Sequence, residues 1–173
     1  MTLVVAVVAL VVAVASYLTW TAGRLDRLAA RVDAAWAALD AQLVRRAAVA
    51  TEIAAHATRH TTLDGAAADA MDDAAALARE VASPIEREAV ENELTRCIRK
   101  AVESADPAGI QPGDTRFADL RSASAKVGLA RQFYNDAVRD HRALRRRWLP
   151  RLLASRQPEP RGFFEIEDPG FSG

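Results

Sequence analysis

From Met1 to Gly23 the chain carries no charged side chain, and no other feature restricts its folding so strongly. Leu3 to Trp20 reads LVVAVVALVVAVASYLTW, interrupted only by Ser16 and Thr19. A helix needs about 20 apolar residues to cross the hydrocarbon core of a bilayer, and this run meets that length. Ten of its positions are Val or Leu. Each contributes roughly −0.3 to −0.6 kcal/mol near the bilayer centre, which makes insertion favourable by a few kcal/mol. Tyr17 and Trp20 fall near the far end, where amphipathic rings settle at the membrane–water interface. The competing reading is a cleaved signal peptide. Such a peptide opens with basic residues, whereas only Met1 and Thr2 precede this run. Ala13-Val14-Ala15 resembles a cleavage site, but the apolar stretch continues past it to Trp20. The sequence predicts an uncleaved transmembrane anchor over residues 1–23, with residues 3–20 in the bilayer.

The flanks predict an orientation. Arg24, Arg27 and Arg31 lie directly after the anchor, and no basic side chain precedes it. The positive-inside rule places the N-terminus outside and residues 24–173 in the cytoplasm, as a single-pass protein of the inner membrane. Asp26 and Asp33 do not reverse this, because acidic residues count little in that rule.

Residues 24–173 are numerous enough to bury one real core. Lys plus Arg is 23 and Asp plus Glu is 23. That balance argues against a nucleic-acid binder, which needs a basic excess. Cys97 is the only cysteine, so no intramolecular disulfide forms, and it reads as a small apolar residue on a helix.

Residues 24–60 read as one long helix. Leu25, Leu28, Val32, Trp36, Leu39, Leu43, Ala50, Ile53 and Ala57 recur mostly at steps of three or four, the stripe of a helix that buries one face. Only Gly23 separates this helix from the anchor. A polar turn at 61–65 leads to an alanine-rich helix over 66–82, with Ala67, Ala70, Met71, Ala74, Leu77, Ala78 and Val81 assigned to its inner side. Ser83, Pro84 and Glu86 restart the helix as N-cap, first helical residue and capping-box acid. Residues 84–104 turn Ile85, Val90, Leu94, Ile98, Ala101 and Val102 inward. The Pro84 break can be a kink or a full reversal; taken together, 66–104 matches the reach of the first helix, which favours a kink within one rod. The Pro/Gly-rich stretch DPAGIQPGD (106–114) is a loop. In the last helix, 115–148, Leu120, Val127, Tyr134, His141 and Trp148 repeat every seven residues, with Ala123, Ala130, Ala137 and Leu144 three residues later. That is a packed seam over four heptads. Pro150 ends it.

The expected fold is therefore all-α: an N-terminal transmembrane helix followed by an antiparallel bundle of long helices. Three rods, the middle one broken at Ser83-Pro84, give four helical segments. The domains are an anchor at 1–23, a bundle at 24–149, and an extended tail at 150–173 whose Phe163 and Phe164 dock on a groove.

Two segments carry a family resemblance. AWAALDAQLVRR, ending at Arg46, and ARQFYNDAV, from Ala130 to Val138, resemble the LemA family. The order of anchor, first motif, last motif and FFEIED-like tail is also similar. The resemblance implies a bacterial protein with one N-terminal transmembrane helix and a cytoplasmic helical bundle, and it brings no established enzymatic activity. Its marked positions fall on Trp36, Asp40, Gln42, Arg45, Arg46, Arg131, Tyr134 and Asn135. The chain departs from the family at Thr51-Glu52, where a Pro-Asn step is usual, at Ser124, where a Glu is usual, and at the 106–114 loop.

Three groups of residues are candidates for chemistry. Glu52, His56 and His60 stand at i, i+4 and i+8, a spacing that can ligate a metal, but no second acid–histidine set accompanies them. They read as a solvated face, and no metal or other cofactor is implied. Arg139, Arg142, Arg145, Arg146, Arg147, Arg151 and Arg156 form a basic run. With three alternating rods it ends far from the membrane, where it pairs with Glu159, Glu165, Glu167 and Asp168 of the tail, is solvated, or meets an acidic partner. Contact with lipid is the remaining alternative. Asp40 and Arg131 are expected to pair across helices and fix register, with Tyr134 and Asn135 in the same network; the competing reading of that cluster is a ligand site. No phosphate loop, Cys/His set or nucleophile motif occurs. The functional expectation is a non-enzymatic interaction or scaffold module at the cytoplasmic membrane face, with unidentified protein partners. The alternatives are a homo-oligomer that shapes membranes or answers envelope stress, and a metal-binding bundle enzyme.

Overall fold

In the computed structural model, residues 1–60, 63–81, 84–105, 114–146 and 162–167 are described. Four helices hold nearly all of them: α1 (Thr2–His60), α2 (Gly65–Glu80), α3 (Pro84–Ser104) and α4 (Arg116–Arg145). No strand occurs among the described residues, so the class is all-α as expected. Ser83, residues 106–113, Arg147, Trp148, Pro150, Arg151, Arg156, Glu159 and Asp168 lie outside the described residues.

α1 passes through Gly23 without a break and runs for 59 residues. One glycine costs a helix only about 1 kcal/mol relative to alanine, too little to interrupt strong helix formers on both sides. Its apolar start is bare: Leu3 is 77 % exposed, Leu10 65 % and Trp20 58 %. Among the described residues this helix is long and apolar enough to cross a membrane.

The residues divide into two compact units, Met1–Trp36 with Phe133–Phe163 and Ala37–Gln132 with Phe164–Gly173. In the second unit, Asp64 caps α2 by accepting the Ala67 N–H through its side chain (3.3 Å). α2 then stops at the extended Val81, and α3 begins at Pro84. The two helices pack along each other, so the chain reverses between them. The expected kink is thus overturned. A proline at the first helical position is compatible with either geometry, and small side chains settle the choice by allowing close approach. Ala68, Met71, Ala75 and Ala78 form the buried stripe of α2 and share one core with Leu94, Cys97, Ile98 and Ala101 of α3 and Ala50, Ile53, Ala54 and Ala57 of α1. The stripe also differs from expectation, because Ala70 and Leu77 face outward. In a helix this rich in alanine no side-chain contrast marks the inner face.

In the first unit α1 and α4 run antiparallel. Going forward along α1, Leu25 meets Leu144, Arg31 meets Asp140 (3.2 Å), and Trp36 meets Tyr134 (ring centroids 5.3 Å apart). The end of α4 therefore packs on Leu25 and Leu28, directly after the apolar span. This overturns the expectation that the last helix ends far from the anchor. The reason is the reversal at Pro84: one additional change of direction inverts the last helix. The heptad seam itself holds, with Leu120, Ala123, Val127, Tyr134, Ala137, His141 and Leu144 all buried.

Candidate functional site

Among the described residues, the largest buried polar feature joins α1 to α3 in the second unit. Arg46 is fully enclosed at 0 % exposure, as is Glu91. Arg46 Nη2 donates to Glu91 Oε2 (2.6 Å), and Nη1 donates to Thr95 Oγ1 (3.1 Å). Arg87 Nε donates to Glu91 Oε1 (3.2 Å) and its Nη1 to the Val81 carbonyl (3.0 Å). Asp40 Oδ1 lies 3.0 Å from Arg87 Nη2, an ion pair without hydrogen-bond alignment. Two guanidinium groups and two carboxylates make the cluster neutral, which is what makes its burial tolerable. The pairings 40–87 and 46–91 advance together, so α1 and α3 run parallel here. Arg87, Glu91 and Thr95 stand at i, i+4 and i+8, so all three face α1.

The sequence marked Asp40 and Arg46 but not their partners. The expected Asp40–Arg131 pair does not form: Asp40 pairs with Arg87, and Arg131 donates to the Ile166 carbonyl (2.6 Å). Parallel packing of α1 and α3 puts a nearer cation against Asp40. The spacing of Arg87, Glu91 and Thr95 was the available signal, since a buried Arg46 needs an acid and Glu91 stands one turn before Leu94 and Thr95 on the same face.

A second feature of this unit is a groove between α3 and α4 that holds the segment 164–167. Phe164 and Ile166 are buried, while Glu165 and Glu167 are exposed, the alternation of an extended chain. The N–H groups of Glu165 and Glu167 donate to Glu88 Oε1 (3.0 Å) and Asn92 Oδ1 (2.7 Å), four residues apart on α3. The Ile166 carbonyl faces the opposite edge and accepts from Arg131 of α4. Each helix thus satisfies one edge of the segment with side chains, as a neighbouring strand would with backbone. Arg99 pairs with Glu167 (3.3 Å). The tail acid thereby takes its cation from α3; of the basic run, Arg139 pairs with Asp136, and the Arg142 guanidinium lies 4.7 Å over the Phe163 ring. Only Phe164 of the two expected docking rings is enclosed, because consecutive side chains of an extended chain point to opposite faces; Phe163 is 39 % exposed.

In the first unit the Trp36 ring packs edge-on against Tyr134, whose hydroxyl donates to the Gly162 carbonyl (2.8 Å). His141 is 2 % exposed, and neither ring nitrogen has a hydrogen-bond partner. Burial pushes its pKa below the ordinary histidine value; nearby Arg145 adds to that and Asp33 opposes it. Asn135 is half-buried, Arg45 is exposed, and Gln42 is half-buried with an unpartnered Oε1. Ser124 is buried with its hydroxyl unpartnered.

Glu52 is exposed and His56 half-buried on α1, and no cluster of three metal-ligating side chains occurs among the described residues. Burial, followed by the Glu93 carboxylate, pushes the Cys97 thiol up, away from the thiolate that a nucleophile requires. Comparison with family models, curated proteins and solved structures returned no match. Fold and sites together define an all-α protein with one candidate membrane span.

Proposed function

We propose that this chain is a membrane-anchored, non-enzymatic interaction module, held by residues 3–20 with its N-terminus outside and its helices in the cytoplasm. The observation that carries the reading is the continuity of α1, which joins a bare apolar span to packed helices with no linker. The charged groups that are buried are spent on each other and on helix register. On α4, Leu129 and Phe133, four residues apart, are 53 % and 60 % exposed, which supports a protein partner or a second copy. The LemA-like motifs support the same placement in a bacterial inner membrane, as a divergent member of that family.

The test is extraction and topology of the full-length chain in bacterial membranes. The reading expects the protein to resist alkaline carbonate and a C-terminal tag to be protected from protease in intact spheroplasts. Release by carbonate, or a tag cleaved from outside, would reject the placement. Cross-linking from the same membranes then separates discrete heterologous partners from large homo-oligomers, the outcome that favours self-assembly.

A further inference from the structure

The antiparallel contact of α1 and α4 gathers basic side chains that are more than 100 residues apart in sequence. On α1, the Arg24 guanidinium lies 5.8 Å over the Trp20 ring, reaching back toward the apolar span. Arg27 reaches back too: its Nη1 lies 3.6 Å from where a Cβ on Gly23 would stand. This is the posture of arginines that keep their stems on apolar surface and send their charge to a membrane interface. Leu144 of α4 packs against Leu25 and Leu28, so Arg145 and Arg146 stand at the level of Arg24 and Arg27. Asp26 and Asp33 lie on the same stretch of α1. One turn or more up α4, Asp140 is occupied by Arg31 and Asp136 by Arg139. Among the described residues, Arg24, Arg27, Arg145 and Arg146 outnumber the acid at their own level, Asp26, and all lie within about a Debye length of the end of the span.

We propose that this two-helix collar binds the phosphate of anionic phospholipid headgroups, with α4 supplying half of the charge. The inference rests on the membrane-anchor reading and deepens it. Guanidinium groups suit phosphate because they donate in a planar fork. Each basic residue near an anionic surface raises affinity by roughly fivefold. The consequence is that the last turn of α4 is tethered to the same bilayer as the start of α1, through lipid as well as through Leu25 and Leu144.

The test uses the full-length chain in phosphatidylcholine vesicles with or without phosphatidylglycerol, and spin-labelled forms of both lipids to report which one the protein immobilises. Co-flotation with both vesicle types is scored first; failure to float overturns the anchor reading and the collar with it. For floating protein, the proposal expects phosphatidylglycerol to be preferred several-fold over phosphatidylcholine at low salt. Arg145→Gln with Arg146→Gln should cut that preference about twofold while flotation and helicity stay unchanged, and Arg24→Gln with Arg27→Gln should do the same. Equal immobilisation of the two lipids by the wild type would overturn the proposal. So would a preference untouched by the α4 substitutions.

Discussion

The contact of α1 with α3 and the contact of α1 with α4 are built by opposite means. In the second unit, α1 brings Ala47, Ala50, Ala54 and Ala57, with Ile53, to a core where alanine of α2 lies beside Leu94 and Ile98 of α3. Alanine stripes allow close approach but are self-similar, so a slide by one turn loses little packing. The buried Arg46–Glu91 pair, with Arg87 and Thr95 around it, closes its hydrogen bonds in this alignment of α1 and α3. In the first unit, Leu25 meets Leu144 and Trp36 meets Tyr134, large and dissimilar shapes that match in one register only. A partnerless histidine is tolerated there because packing does not depend on it. The difference teaches where charge is useful in a helical bundle: it adds alignment where one helix offers mainly alanine.

The comparison breaks most visibly at Glu91. Glu91→Ala leaves Arg46 buried without its anion, and unfolding stability should fall by about 3–5 kcal/mol in denaturant titration. Replacing Arg46 and Glu91 together with Met and Leu should cost far less than the two single changes summed, because no charge remains stranded. That double variant should nonetheless lose alignment, seen as faster amide exchange in α3. Unchanged exchange would remove the register role.

Smaller effects sharpen the picture of the tail and of the first unit. Ile166→Ala in the α3–α4 groove should cost about 2 kcal/mol, at the low end for a buried aliphatic truncation. Tyr134→Phe removes the bond to the Gly162 carbonyl and should cost about 1 kcal/mol. His141→Leu should raise stability by about 1 kcal/mol, since it relieves a buried polar group of its unmade hydrogen bonds. His141 also sets a pH dependence. Its folded pKa lies below its unfolded value, so the unfolded chain takes up the proton first as pH falls. Stability is full above about pH 6.5 and declines below it, and His141→Leu should flatten that decline in thermal melts at pH 7 and pH 5.

Much of this was legible in the chain. Large residues with fixed spacing mark the α4 seam from Leu120 to Leu144 and the α1 stripe from Leu25 to Ala57, and both are buried or half-buried along their length. Alanine conceals the rest. α2 offers no contrast between its faces, so the pattern turns Leu77 inward where Ala75 is the buried residue. Pro84 announces a helix start but not the angle of arrival, and the reversal it permits inverts the direction of every later element. That one ambiguity accounts for the misplaced end of α4 and the misassigned partner of Asp40. Segment 164–167 escapes as an alternating stretch because its partners are side chains on helices, which leave no strand pattern elsewhere in the sequence.

The order of the helices decides where the end of α4 lies, and a thiol cross-link measures it directly. In a Cys97→Ala background, Leu25→Cys can be paired with either Leu144→Cys or Leu120→Cys in the full-length protein in membranes. A reversal between α2 and α3 predicts rapid intramolecular linking of 25 to 144 by a short bismaleimide and none of 25 to 120. Linking of 25 to 120 without 25 to 144 would contradict it and restore a three-rod bundle.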